Sequence, residues 1–179
     1  MAHHRRGRLD VATRGGLLVA VVRCATRTVV LLARRQLHID RSSNGATVAI
    51  ADGRAFTVFR DTSCDVDWAE DEVRLLVWFH LRGTSPTSRR RAWAFERESI
   101  LNTLLYAGFA GYRRKLWMVD RSTGDYAGLY AWCGRAAAEA YARYITAVLR
   151  PLSVRGSVGF TILDDASGGP RPLSDLLSR

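Results

Sequence analysis

At 179 residues and 47% hydrophobic content the chain can bury a sizeable core as one domain, which excludes global disorder. A formal charge of +10 suggests a nucleic-acid partner until it is located: residues 1–35 carry eight arginines against Asp10, leaving only +3 on the rest. The basic excess therefore belongs to an N-terminal arm, and with no aromatic RNA-platform motif no nucleic acid is expected.

Residues 1–8 are a short basic tail, followed by an apolar run from Val11 to Ala33 that ends at Arg34-Arg35. Its length invites a transmembrane reading, but Arg23 and Arg27 lie inside it, each costing about 2.5–3.5 kcal/mol at a helix centre on insertion scales. A secretory signal fits poorly, because the uninterrupted apolar core Leu17–Val22 is short and no small-residue cleavage site follows. Two readings remain. The run is an amphipathic helix on an anionic membrane surface, or a helix that packs its apolar side on the body and solvates its arginines. Its β-branched content also allows a strand.

Asp40 to Gly45 is a turn cluster. Residues 46–51 and 54–60 flank Asp52-Gly53, which is a strong hairpin signal. Residues 72–82, EVRLLVWFHLR, form a strand apolar on both faces, with Val73, Leu75, Val77 and Phe79 on one and Leu76, Trp78 and His80 on the other. Residues 89–106 read as a helix, 112–120 and 126–132 as strands joined by the turn Ser122–Asp125, and Arg135–Leu149 as an Ala-rich helix closed by Pro151. A last strand falls at 154–163, before a Gly/Pro-containing tail.

The order β-α-β-β-α-β over 72–163 predicts an α+β, ferredoxin-like domain with an antiparallel sheet and both helices on one face. The expected organisation is an N-terminal extension over 1–71 (basic arm, helix, hairpin), this domain over 72–163, and a tail over 164–179. The second sheet face is also apolar, and residues 1–60 offer little to cover it, so a homodimer through that face is expected.

Lys115, Trp117, Asp120, Thr123, Gly124, Tyr126, Gly128, Tyr130 and Trp132 spell a hairpin, K-x-W…D…T-G-x-Y-x-G-x-Y-x-W, before the Ala-rich helix. This hairpin resembles the second half of dimeric α+β barrel proteins, in particular YdhR-like monooxygenases within the antibiotic-biosynthesis monooxygenase group. The likeness covers roughly 72–163; where those proteins have Pro-Gly-Phe before the second strand, this chain has Gly108-Phe109-Ala110-Gly111. The resemblance implies a cofactor-independent oxygenase pocket for a small aromatic or apolar molecule, or, after other members, haem degradation by an Asn, a Trp and a His.

The pocket chemistry asks for an apolar cavity, stacking surfaces and a group that stabilises a substrate anion. His80 and Asn102 are the catalytic candidates, weighed against a structural histidine and a helix-packing amide. Trp78, Trp117, Tyr126, Tyr130, Trp132, Arg113 and Lys115 are the binding candidates, weighed against core and dimer seam. Lys115 is the only lysine of the chain. His3, His4, His38 and His80 lack spaced partners, so no metal is expected. Cys24, Cys64 and Cys133 form no CxxC pair and read as reduced thiols, in keeping with a cytoplasmic protein, membrane-peripheral if the N-terminal helix binds lipid.

Overall fold

The computed structural model describes residues 14–50, 53–65, 72–83 and 101–163. Among these the chain is α+β, with a seven-stranded antiparallel sheet and two helices. They are α1 (Arg14–Ala33), β1 (Leu37–Asp40), β2 (Thr47–Ala49), β3 (Ala55–Cys64), β4 (Glu72–Phe79), β5 (Tyr112–Val119), β6 (Tyr126–Cys133), α2 (Arg135–Leu149) and β7 (Gly159–Leu163). A 3₁₀ turn, Leu101–Leu105, precedes β5; the rest of the helix expected at 89–106 lies outside the described residues. The last strand is shorter than expected: residues 153–158 form a loop in which the Val154 N–H bonds the His80 carbonyl at 2.8 Å.

The sheet order is β1-β3-β5-β6-β4-β7, with β2 pairing β3. Its last four strands, β5-β6-β4-β7, are compatible with a ferredoxin-like arrangement, and β1 to β3 continue the same sheet beyond β5. The expected hairpin pairing forms between β2 and β3, with Val48 opposite Phe56 and Gly53 at φ 85°; Asp52 lies outside the described residues. The β5–β6 turn is fixed by Asp120, whose Oδ1 accepts the Ser122 N–H (2.8 Å) and hydroxyl (2.6 Å), and by Gly124 at φ 78°.

Strand alternation divides the core into two. On one face Leu75, Val77, Tyr112, Trp117, Tyr130 and Trp132 pack with Ala138, Tyr141, Tyr144 and Ile145 of α2. On the other, Val48, Phe56, Val58, Leu76, Leu116, Met118, Ala127 and Leu129 form a second cluster, all at most 4% exposed within a single chain. The sheet curls enough for the Arg54 guanidinium to lie 5.6 Å from the Phe56 ring and 5.2 Å from the Trp78 ring. Val48, Phe56 and Val58, from residues expected to offer this face little, pack into the cluster.

The apolar N-terminal run is helical, its arginines are solvated, and the side it packs on the body is the small-residue one rather than the large apolar one. Ala20, Cys24, Thr28 and Leu31 face the body, while Leu18, Val19, Val22, Val29, Val30 and Leu32 are exposed together with Arg23 and Arg27. Small residues dominate the buried stripe because the helix sits against backbone: a Cβ on Gly108 would lie 2.0 Å from the Cys24 carbonyl oxygen. Burial pushes the Cys24 thiol up to about 11, so it stays protonated near neutral pH. Gly15–Ala33 is long and apolar enough to cross a membrane, a test that core helices and signal sequences also pass.

Candidate functional site

A cavity of about 60 Å³ lies on the helix-covered face of the sheet. Its floor is Lys115 and Trp117 of β5 and Tyr130 of β6. Tyr141, Ile145, Val148 and Leu149 of α2 form its roof, and Asn102, Leu105 and Tyr106 one wall. Phe79, Leu81 and Leu152 complete the lining, and Leu152, 55% exposed, stands at its mouth. Helical spacing explains the roof, since residues 141, 145, 148 and 149 recur at intervals of three and four and so share one side of α2.

Alternation also explains the floor. Lys115 and Trp117 are two apart on β5 and share a face, and Lys115 pairs with Tyr130 across the β5–β6 ladder. Two residues before Tyr130, Gly128 leaves room for its ring: a Cβ there would lie 2.7 Å from Tyr130 Cε2. The Gly-x-Tyr spacing thus lets the tyrosine lie over the strand rather than stand away from it. Its hydroxyl accepts a hydrogen bond from Tyr141 at 3.1 Å. The Trp117 indole N–H donates to Thr62 Oγ1 at 3.3 Å, and the Tyr112 hydroxyl donates to the Thr62 carbonyl at 2.7 Å.

Lys115 is 5% exposed, and its Nζ lies 3.0 Å from the centroid of the Trp117 ring, 4.5 Å from that of Tyr106 and 4.8 Å from that of Tyr130. Among the described residues no hydrogen bond or ion pair reaches Nζ. Two effects oppose each other here. Ring quadrupoles favour the ammonium by about 0.5–2 kcal/mol per contact. Removing an ammonium from water without a counter-ion costs several kcal/mol, and Arg60, whose guanidinium lies 5.8 Å from the Trp117 ring, adds repulsion. Burial wins, and with Arg60 it holds the Lys115 pKa well below 10.5.

The structure brings together only some of the expected site residues. Asn102, Lys115, Trp117 and Tyr130 line the cavity. Trp132 is on the same face but fully buried behind it, its ring 4.6 Å from that of Tyr141. Tyr126 stacks on Phe79 at 6.0 Å nearer the turn, outside the lining. Trp78 belongs to the opposite face, where its indole fills the space that Gly159 leaves on β7: a Cβ there would lie 2.4 Å from Trp78. Arg113 falls at a register irregularity between Tyr112 and Arg114, so Tyr112 rather than Arg113 shares the packed face with Lys115.

His80 is not part of the lining. Its Nδ1 lies 2.7 Å from Asp125 Oδ1, its backbone N–H donates to Ser157 Oγ at 3.2 Å, and its carbonyl accepts from Val154. It ties the end of β4 to the β5–β6 turn and to the loop before β7. The triad needed for haem degradation is therefore not assembled in the cavity, which receives Asn102 and Trp117 without His80. Tyr106 and Tyr141 are the polar-tipped lining residues absent from the expected site. The helical phase of Tyr141 points it at the core but does not show that the core has a gap beside it. No group of three or more His, Cys, Asp or Glu able to hold a metal occurs among the described residues.

Comparison with known proteins adds little to this geometry. No protein-family model matches the sequence, and no curated protein matches it. The solved structure of Rv0793 from Mycobacterium tuberculosis is similar over 54% of this chain and 100% of that one, at 23% identity and a TM-score of 0.34.

Proposed function

We propose that the protein binds a small apolar molecule bearing an oxygen acceptor, its oxygen on Lys115 Nζ and its apolar part against Trp117, Tyr130 and α2. One observation carries this reading: the only lysine of the chain is buried without a polar partner among the described residues, at a cavity walled by aromatic rings. A bound oxygen would give Nζ a hydrogen bond that none of the described residues supplies, and such a bond is worth more inside a protein than in water. An engineered apolar cavity of ~150 Å³ takes benzene, and a water needs ~10–15 Å³, so 60 Å³ holds a group of roughly two to six non-hydrogen atoms. A larger aromatic ligand would insert only its functional end. We take the domain to be ferredoxin-like, of the dimeric α+β barrel kind, and cofactor-independent monooxygenase-like turnover as the reaction class that the hairpin resemblance supplies. The test is an NMR titration with small alcohols, ketones and phenols: saturable shifts at the Trp117 indole and Asn102 amide support the reading. Shifts confined to the surface, or none that saturate, overturn it.

A second reading rests on α1, where Leu18, Val19, Val22, Val29, Val30 and Leu32 are exposed beside Arg23 and Arg27. That pattern suits an anionic membrane surface. Flotation of the full chain with phosphatidylglycerol-containing vesicles, lost in Val22→Glu/Val29→Glu, supports it; equal flotation of the two proteins removes it.

A further inference from the structure

We propose that Lys115 is a carbonyl-reactive amine, forming a Schiff base with a small aldehyde or ketone held in the cavity. The proposal rests on the binding reading above and narrows the ligand from any oxygen-bearing molecule to a carbonyl compound. Three observations support it. First, the chain otherwise uses arginine as its basic residue throughout, and a guanidinium does not lose its proton in a protein, whereas an amine can. The single lysine stands where that difference matters, at a cavity and away from water.

Second, the surroundings favour the free amine. A lysine becomes a nucleophile when it is desolvated in an apolar pocket or placed beside another cation, and Lys115 has both conditions in its aromatic walls and Arg60. The same burial lowers its proton affinity, so an unprotonated fraction is available closer to neutral pH than for an exposed lysine. Third, two phenol-bearing residues, Tyr106 and Tyr130, line the same space, and burial raises the pKa of both, so they keep their protons. The Tyr130 hydroxyl accepts from Tyr141, which leaves its own proton for another acceptor.

The step balances without an oxidant. The lone pair of the neutral Nζ amine attacks the carbonyl carbon, the C=O π pair moves to oxygen, and one of the two Nζ protons passes to that oxygen to give a carbinolamine. The nitrogen lone pair then expels the oxygen, which leaves as water with the second Nζ proton, and a C=N bond between Nζ and the ligand carbon remains. A space of about 60 Å³ suits a short aliphatic carbonyl compound such as propanal.

The test treats the full chain with propanal and sodium cyanoborohydride near neutral pH, the hydride reducing any imine to a stable secondary amine. Because Lys115 is the only lysine, the N-terminal amine is the sole competing amine, and peptide mapping separates the two. The expected result is propylation of Lys115 at least tenfold faster than of the N-terminus, with the internal adduct absent from Lys115→Met. Propylation confined to the N-terminus, or reaching Lys115 only after urea unfolding, overturns the proposal. A parallel titration with 1-propanol separates the two failures. If the alcohol gives saturable Trp117 shifts while no Lys115 adduct forms, the Schiff base falls and the binding site stands. If neither occurs, both fall.

Discussion

Lys115 Nζ lies 3.0 Å from the centroid of the Trp117 ring, two residues further along the same strand. The contact accommodates a cation without neutralising it. Among the described residues the amine has no polar partner, and that separates this face of the sheet from an ordinary aromatic core.

Replacing Lys115 by Met keeps the shape and removes the buried amine. Lys115→Met is expected to be more stable than wild type by about 1–4 kcal/mol near neutral pH, the range seen when buried ionic groups give way to apolar ones. The sign of its pH dependence follows from the lowered pKa. The unfolded chain binds the extra proton in the interval between the folded-state pKa and 10.5, so wild-type stability gains there as pH rises. The gap between the two proteins should then shrink by about 1.4 kcal/mol per pH unit across that interval. Denaturant melts of both proteins at several pH values measure it, and the comparison cancels the buried tyrosines, which titrate in both.

Gly128→Ala is expected to push the Tyr130 ring out of its place over β6, because the new Cβ would lie 2.7 Å from it. Ligand affinity should fall roughly tenfold, about 1.4 kcal/mol, with the fold retained. Calorimetry with whichever small ligand binds the wild type checks this.

At the α1 contact, Gly108→Ala sets a methyl 2.0 Å from the Cys24 carbonyl oxygen, a backbone atom that cannot move alone. Separation of α1 from the body, or about 2–4 kcal/mol of lost stability, is the expected outcome. Iodoacetamide should modify half-buried Cys64 in the native wild type and spare buried Cys24, while in Gly108→Ala the Cys24 peptide becomes labelled as well.

Asp61 is buried and holds the Arg114 guanidinium, with Nε 3.0 Å from its Oδ1, and also accepts the Ser43 hydroxyl at 3.1 Å. Arg114→Ala leaves that carboxylate without its counter-charge, which should cost about 3–5 kcal/mol in urea unfolding. Asp61→Asn in the same background should recover part of the loss, since the buried charge is then gone.

His80→Ala separates the two candidate regions. Losing the tie to Asp125 is expected to lower stability by about 1–3 kcal/mol, while ligand affinity and propylation of Lys115 stay unchanged. A loss of binding in a folded His80→Ala protein would place the site elsewhere.

Much of the architecture was legible from pattern. Period-two alternation located β4, β5 and β6, Asp52-Gly53 located the first hairpin, and the Arg135–Leu149 helix appears with the bounds expected of it. Alternation does not say which face of one strand meets which face of the next. Trp78 and Tyr130, both read as stacking surfaces, therefore ended on opposite sides of the sheet. Arg113 was misphased because the irregularity beside it is a tertiary feature without a local signature. The exposed side of α1 was hidden for a related reason. Hydropathy favours burying Leu18 and Val22, but the close approach of Gly108 admits only the small residues of the opposite stripe.

The most direct test of the account uses the uniqueness of Lys115. Protein labelled with ¹³C only at lysine Cε gives one side-chain resonance, whose shift reports the charge on Nζ and anything bound to it. This resonance is expected to titrate well below 10.5 in the folded protein and to move saturably on addition of propanal or 1-propanol. A titration midpoint at the ordinary lysine value, with no response to either compound, would contradict it.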